Sequence, residues 1–124
     1  MNIIDKNIKQ IHDLCVKHKV ANLFVFGSIL SGKFNKGSDI DLVVDFRDVD
    51  LYDYADNYFD LKFALEKILK RSVDLLEDKA IKNPYLRQSI DSSKQLLYGQ
   101  WYQNMALRYT PIYQRGWKLL FGQT

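Results

Sequence analysis

The feature that most constrains this chain is Gly27-Ser28 followed, after ten intervening residues, by Asp39-Ile40-Asp41. Glycine and serine together are typical of a turn, whereas apolar residues that alternate with aspartates up to Phe46 predict a strand. Successive side chains of a strand alternate between its faces, so Asp39 and Asp41 should project to the same side, about 6.6 Å apart. At an effective dielectric constant of about 20 their repulsion is on the order of 2.5 kcal/mol, which favours a bound cation. Oxygen ligands suit Mg²⁺ or Mn²⁺.

The length and charge of the chain limit what else it can contain. With 124 residues, 47% of them apolar, it is predicted to be one globular domain without room for a separate substrate domain. We place that domain at residues 1–100 and an aromatic, basic tail at residues 101–124. The net charge of +3 comes from the tail, because residues 1–100 hold equal numbers of acidic and basic side chains. A neutral domain argues against general nucleic-acid binding.

The tail holds two tryptophans and three tyrosines, has no acidic residue and shows no clear period. Three interpretations stay open: an element that packs on the sheet, an interface that forms a homo-oligomer, or an extension without an evolved role. The amino terminus has no apolar run typical of a signal peptide, and no stretch approaches a membrane span of about 20 residues, so a cytoplasmic protein is expected. The single cysteine, Cys15, fits that compartment and excludes an internal disulfide.

Hydrophobic periodicity predicts helices and strands along residues 1–100. Helices are predicted at about residues 3–18 and 51–70, and a third begins at Asn83-Pro84 and continues up to Gly99. Strands are predicted at residues 23–26, 39–46 and 73–76. The inward stripe of the helix at 51–70 should consist of Leu51, Ala55, Tyr58, Leu65, Ile68 and Leu69.

A third carboxylate lies on the last predicted strand, where Asp74 points away from Val73 and Leu75. Three aspartates beside a glycine turn match metal-assisted nucleotidyl transfer, in which two ions about 3.5 to 4 Å apart activate the attacking oxygen and stabilise the leaving pyrophosphate. We expect Asp39 and Asp41 to bind both ions. Asp74 is expected to bind only the ion beside the attacking hydroxyl.

Gly27 and Ser28 are the expected contacts of the nucleotide phosphates. Glycine lets the backbone approach closely, and Ser28 offers both an N–H and a hydroxyl. Each feature alone has an ordinary structural explanation, since an Asp-x-Asp pair is usually a solvated face, Gly-Ser is usually a turn and Asp74 could be an edge residue. The order of all three along one chain is far more specific than any of them.

The motifs Phe26-Gly27-Ser28, Ser38-Asp39-Ile40-Asp41-Leu42 and Val73-Asp74-Leu75-Leu76 resemble those of the minimal nucleotidyltransferases of the DNA polymerase β superfamily. The likeness extends from about residue 3 to residue 99. It implies an α+β fold with a small mixed sheet flanked by helices, two Mg²⁺ ions and ATP as cofactors, and a protein as acceptor. Such proteins resemble the antitoxin of a bacterial pair whose other half is a helical HEPN-domain ribonuclease toxin. Some members transfer AMP from ATP to a tyrosine of that toxin.

The chain departs from this family in the loop before the Asp-x-Asp pair. Family members often carry arginine or lysine before the glycine that corresponds to Gly32, whereas Leu30-Ser31 stand there in this chain. Either Lys33 or Lys36 reaches the triphosphate, or both are solvated, as loop lysines commonly are. Lys33 and Ser38 are included among the expected nucleotide contacts.

Three functions are compatible with the sequence. The leading hypothesis is Mg²⁺-dependent transfer of AMP from ATP to a hydroxyl, expected to be a tyrosine, of a HEPN toxin. The second is an antitoxin that blocks the toxin sterically and performs no chemistry. The third is nucleotidylation of a small molecule of the aminoglycoside type, which would need an acceptor cleft built by a dimer or by the tail.

Several other polar side chains are expected to have structural roles. We predict surface positions for His12 and His18, a core position for Cys15, packing rather than base stacking for Tyr52, Tyr54 and Tyr58, and a solvated helix end for the basic cluster from Lys67 to Arg71.

Overall fold

The structure is a computed structural model that describes residues 2–99 of the chain. The elements follow one another as α1 (Asn2–Lys6), α2 (Ile8–Lys17), β1 (Val20–Phe26), α3 (Ser28–Ser31), β2 (Ile40–Phe46), α4 (Leu51–Leu69), β3 (Val73–Glu77), a 3₁₀ turn (Asp78–Ala80), α5 (Pro84–Ser93) and β4 (Gln95–Gly99). The predictions for residues 101–124 lie outside the described residues. Among the helices of residues 2–99, none has both the length and the apolar content needed to cross a membrane.

The four strands form one mixed sheet in the order β3-β2-β1-β4. Strand β1 is antiparallel to both of its neighbours, whereas β2 and β3 are parallel and are connected by the long helix α4. Parallel neighbours need such a crossover because their starts lie at the same end of the sheet. The predicted α+β fold, with a small mixed sheet flanked by helices, is confirmed.

The main core lies between one face of the sheet and helices α2 and α4. Alternate residues of β2 are buried on this face, which places Ile40, Leu42 and Val44 in the same cluster as Leu61 and Leu65 of α4. The side chains between them, including Asp41 and Asp45, therefore project to the other face. The sheet thus presents the acidic side chains of β2 on the face that the main core leaves open.

The first two helices depart slightly from the single helix predicted at 3–18. The chain leaves helical geometry at Asn7, whose side-chain amide donates to the Ile3 carbonyl at 2.8 Å. Cys15 is buried, as predicted, and burial raises the pKa of its thiol to about 12. The surface position predicted for His18 is wrong, because the side chain is only 7% exposed and its Nδ1 donates to the Leu14 carbonyl at 2.8 Å. His12 is exposed, as predicted.

Helix α4 begins after Asp50, whose carboxylate accepts from the Tyr52 N–H, and it ends at Lys70 in a left-handed conformation. Leu65 and Leu69 of the predicted stripe are buried, but Leu51 is 87% exposed and Ala55 is also exposed, so that part of the prediction is wrong. The inward positions of the first turns belong to Tyr58, as predicted, and to Tyr54, which the predicted stripe did not include. Their hydroxyls need hydrogen-bond partners and find them on β3, where Tyr58 donates to the Leu75 carbonyl and Tyr54 to the Glu77 carboxylate.

The helix predicted from Asn83-Pro84 to Gly99 is wrong in its second half. Asn83 caps α5 as expected, since its side chain accepts from the N–H groups of Tyr85 and Leu86. The helix nevertheless ends at Ser93, and Lys94 has extended backbone angles. The following residues form β4 because the free edge of β1 offers backbone partners there. Short apolar runs of this kind do not distinguish a helix from a strand by periodicity alone.

Candidate active site

Gly27 connects β1 to the short helix α3 through a turn that other residues do not adopt easily. Its backbone angles are φ +82° and ψ −149°, a region occupied almost only by glycine. A Cβ atom placed on Gly27 would lie 2.2 Å from Oδ2 of Asp41. The turn and the first aspartate of β2 are therefore in direct contact, and the missing side chain of Gly27 makes that contact possible.

Asp41 lies in a strongly acidic environment. Burial raises the pKa of this carboxyl above its usual value, the charge of Asp74 raises it further, and that of Asp39 adds a smaller contribution. A backbone hydrogen bond donated by Ser28 acts in the opposite direction. A carboxylate that is partly desolvated and close to two others gains most from an added cation.

The other two aspartates reach this point from different segments. Asp74 is the direct partner of Asp41 in the parallel ladder of β2 and β3, on strands that lie about 4.8 Å apart. Its side chain is exposed between the buried Val73 and Leu75, as the sequence predicts. Asp39 is exposed one residue before β2, so the predicted strand start at 39 is one residue early. Three carboxylates thus gather at the end of the sheet where β2 and β3 begin and β1 ends.

The donor set suits a hard divalent cation, since it consists of carboxylate oxygens with unfavourable mutual charge. Within residues 2–99, no three acidic, histidine or cysteine side chains are grouped closely enough to hold a metal ion by themselves. Magnesium sites at nucleotides usually take one or two carboxylates and complete the octahedron with water and phosphate oxygens. The arrangement fits a metal that arrives with its nucleotide better than a site assembled by protein alone.

The loop before Asp39 uses Ser38 to stabilise its own turn. The Asn35 N–H donates to Oγ of Ser38 at 3.1 Å, and the Ser38 N–H donates to the Asn35 carbonyl at 3.0 Å. The hydroxyl predicted to contact nucleotide therefore has an internal partner. Lys33 and Lys36 have exposed side chains, so both alternatives for these lysines stay open.

Arg71 is a functional candidate that sequence reasoning missed. The prediction of a solvated helix end is wrong for this residue, because its guanidinium donates to the carbonyls of Asn35 and Ser38, each at 2.8 Å, and lies 4.2 Å from the centre of the Phe34 ring. The only sequence signal is its position three residues before Asp74. Nothing in the sequence pairs it with a loop more than thirty residues away.

The opposite end of the sheet contains a cleft of about 380 Å³ that includes none of the predicted site residues. Asp45, Tyr54 and Glu77 contribute to its lining. Tyr54 packs edge-on against Phe46, and burial and the neighbouring Glu77 raise the pKa of its hydroxyl. Tyr54 and Tyr58 pack against the core, in agreement with the packing role predicted for them. The same prediction is wrong for Tyr52, whose side chain is 93% exposed.

Comparison with known proteins identifies the family of the chain. Residues 8–97 match the family model of the nucleotidyltransferase domain. A protein of Methanocaldococcus jannaschii named "Putative protein adenylyltransferase" is 40% identical over 89 residues, which cover 72% of this chain and 85% of the relative.

Two solved structures share the fold. One, described as a "putative minimal nucleotidyltransferase", is 27% identical with a TM-score of 0.63, over 74% of this chain and 90% of the other. The second is a tri-AMPylated Shewanella oneidensis HEPN toxin in complex with an MNT antitoxin; at 22% identity it has a TM-score of 0.56, over 82% of this chain and 76% of the matched chain. The chain belongs to the nucleotidyltransferase domain family and is a nucleotidyltransferase.

Proposed function

We propose that this nucleotidyltransferase moves AMP from ATP to a hydroxyl of a HEPN toxin, expected to be a tyrosine, and thereby acts as an antitoxin. The observation that carries the proposal is the contact of the Gly27 turn with Asp41, beside Asp74 and Asp39. The name of the M. jannaschii relative supports a protein acceptor, and the AMPylated toxin bound to an MNT antitoxin supports the class of partner.

In this proposal Asp39 and Asp41 would hold two Mg²⁺ ions together with the triphosphate, and Asp74 would hold the ion at the acceptor. Such ions, when bound, would supply a lowered pKa of the acceptor hydroxyl and a positive charge opposite the leaving group. The hydroxyl oxygen forms a bond to the α-phosphorus, the bond from that phosphorus to the pyrophosphate oxygen breaks, and the hydroxyl proton is released. The products are an AMP ester of the acceptor and pyrophosphate.

The residues of the chain itself contribute position and charge. The Ser28 N–H orients the Asp41 carboxylate, and Gly27 leaves room for it at the turn. Because Asp41 and Asp74 are partners in one ladder, their spacing is fixed by the backbone of the sheet. A scaffold of this kind orients ligands better than a loop would.

The test is transfer of label from α-labelled ATP, with Mg²⁺, to a purified HEPN protein encoded next to this chain. We expect the wild type to label the toxin and Asp41→Asn to lose at least about a hundredfold in rate, since a metal-binding carboxylate is removed. Asp45→Asn is the matched control, because it removes the same charge from the same face of β2 at its other end. It should retain nearly full activity.

Two outcomes would contradict the proposal. If the wild type transfers no label, and Asp39→Asn still neutralises the toxin in cells, the chain is a binding antitoxin without chemistry. If label appears on an aminoglycoside and not on the toxin, the acceptor is a small molecule.

A further inference from the structure

Arg71 connects two segments that each precede a carboxylate of the candidate site. One nitrogen of its guanidinium donates to the carbonyl oxygens of Asn35 and Ser38, each at 2.8 Å. The same group lies over the ring of Phe34, with 4.2 Å between the guanidinium carbon and the ring centre. A planar cation that satisfies two carbonyls and stacks on an aromatic ring is a role for which arginine is suited and lysine is not.

The segment that Arg71 binds is the turn immediately before Asp39. This turn has its own hydrogen bonds, among them that from the Gly37 N–H to Oδ1 of Asn35 at 2.8 Å. These bonds hold the turn together, and Arg71 attaches it to the rest of the protein. The Ser38 carbonyl belongs to the peptide bond that joins Ser38 to Asp39, so the contact acts directly on the backbone of the aspartate.

The backbone around Arg71 is itself fixed to the sheet. The carbonyl of Ser72 accepts the Ile40 N–H at 3.0 Å, and the Val73 N–H donates to the Glu66 carboxylate at 2.9 Å. Two residues beyond Ser72 the chain reaches Asp74. The backbone of Arg71 thus leads directly into the strand that carries Asp74, and its side chain binds the loop that precedes Asp39.

Asp39 needs such a restraint more than its two neighbours do. Asp41 and Asp74 sit within the β2–β3 ladder, whereas Asp39 precedes β2 and is exposed. Asp39 and Asp41 are both carboxylates, one residue apart in the chain, so their like charges repel each other. Without a tether, this repulsion would move the loop and Asp39 away from the site until a cation arrives.

We propose that Arg71 is a positioning residue that holds the loop at residues 34–38 so that Asp39 stays beside Asp41 and Asp74 before metal and nucleotide bind. The inference rests on the proposed function, because it assigns Arg71 to the assembly of that same metal and nucleotide site.

The experiment compares Arg71→Gln and Arg71→Lys with the wild type and with Lys67→Gln, which removes an exposed charge from the same helix end. The first measurement is hydrogen exchange of the backbone amides at residues 34–39 in the protein without metal. The second is the Mg²⁺ concentration that gives half of the thermal stabilisation by a non-hydrolysable ATP analogue. Neither measurement needs the toxin, so failure of the acceptor hypothesis does not affect them.

We expect Arg71→Gln to accelerate exchange in this loop and to raise the half-saturating Mg²⁺ concentration about tenfold, as loss of a residue that orients metal ligands usually does. Arg71→Lys should give an intermediate effect on both, and Lys67→Gln should match the wild type. A proportional fall in kcat with little change in the KM for ATP should accompany the Mg²⁺ effect in toxin labelling.

Two results would overturn the inference. Loop exchange and Mg²⁺ dependence that equal those of Lys67→Gln would show that Arg71 does not position the loop. A raised KM for ATP at saturating Mg²⁺, with unchanged loop exchange, would show that Arg71 contacts the nucleotide directly instead.

Discussion

The two ends of the sheet are both acidic, but the protein treats their carboxylates differently. At the end where β2 and β3 finish, Asp78 accepts from Arg87 at 2.8 Å, Glu77 accepts from the Tyr54 hydroxyl, and Lys79 lies 3.9 Å from Asp45. At the end where these strands begin, the ion pairs found within residues 2–99 include none with Asp39, Asp41 or Asp74. At the first end the fold supplies partners to these acids, although Oδ1 of Asp45 is buried without a hydrogen bond. At the second end the described residues supply no cation to the three aspartates.

This difference distinguishes carboxylates that stabilise the fold from carboxylates that are candidates for catalysis. A partly buried carboxylate with a cation or hydroxyl beside it adds to stability or costs little. Asp41 has a backbone N–H as its favourable partner and two carboxylates as its unfavourable ones, which disfavours the folded state at neutral pH. Natural proteins keep such arrangements mainly where function requires them.

Among the substitutions that test the difference between the two ends, Gly27→Ala should have the largest effect on stability and on nucleotide binding. The new methyl group would lie 2.2 Å from Asp41 Oδ2, and the residue would have to adopt a conformation that costs about 1 to 3 kcal/mol. We expect a loss of about 3 kcal/mol in the free energy of unfolding, measured by urea denaturation, and loss of stabilisation by Mg²⁺ with an ATP analogue.

Gly32→Ala is the matched control for that substitution. Gly32 also has a positive φ, +78°, but a Cβ atom there would have no neighbour within 4 Å. The Gly32→Ala variant should lose only about 1 kcal/mol in the free energy of unfolding and should still bind the nucleotide. Equal effects of both variants on nucleotide binding would show that contact with Asp41 does not define the site.

The sequence predicted the fold class and the strands of the aspartates better than it predicted some of the other elements and their contacts. Spacing placed Asp39 and Asp41 on one side of a strand after a glycine turn because strand periodicity and the positions of turns are local properties. That Asp74 lies beside Asp41 depends on the parallel pairing of β2 with β3, which local spacing does not determine. The strand β4 and the contacts of Arg71 could not be predicted in the same way. Both depend on which distant backbone groups are free, and that is decided only when the sheet assembles.

The tyrosines of α4 illustrate the same limit within one element. Helical spacing predicted an inward stripe that included Leu51, Ala55 and Tyr58. Tyr58 packs against the core as predicted, but Tyr54 takes the inward place expected of Leu51 and Ala55. Their hydroxyls have partners on β3, which no pattern within the helix reveals.

Removing one acid from each end should change stability in opposite directions. In the metal-free protein, Asp41→Asn should raise the melting temperature, since it removes like-charge repulsion on the order of 1 kcal/mol after solvent screening. Asp78→Ala should lower it, because Arg87 loses its partner, at a cost of about 0.5 to 1 kcal/mol. Thermal unfolding in EDTA measures both. Destabilisation by Asp41→Asn would mean that the Ser28 hydrogen bond outweighs the repulsion.

The smallest expected effect is the pH dependence of stability that Asp41 contributes at one end and Asp91 at the other, where Asp91 lies 3.4 Å from the Arg87 that also binds Asp78. The pKa of Asp41 is raised chiefly by burial, so its favourable contribution to stability is complete below the usual carboxyl range and is lost as pH rises through the raised pKa. The pKa of Asp91 is lowered, chiefly by its hydrogen bond from Lys94, so its contribution is present above the usual range and is lost as pH falls.

The melting temperatures of metal-free wild type, Asp41→Asn and Asp91→Asn, recorded from about pH 4 to pH 7, test these signs. The advantage of Asp41→Asn over the wild type should grow with rising pH, because only the wild type deprotonates at that position. The disadvantage of Asp91→Asn should shrink as pH falls toward 4, since protonation removes the same charge from the wild type. Profiles of Asp41→Asn and wild type that stay parallel would mean that Asp41 titrates as a solvated carboxyl. In that case the carboxylates where β2 and β3 begin would carry no more unfavourable charge than those at the other end.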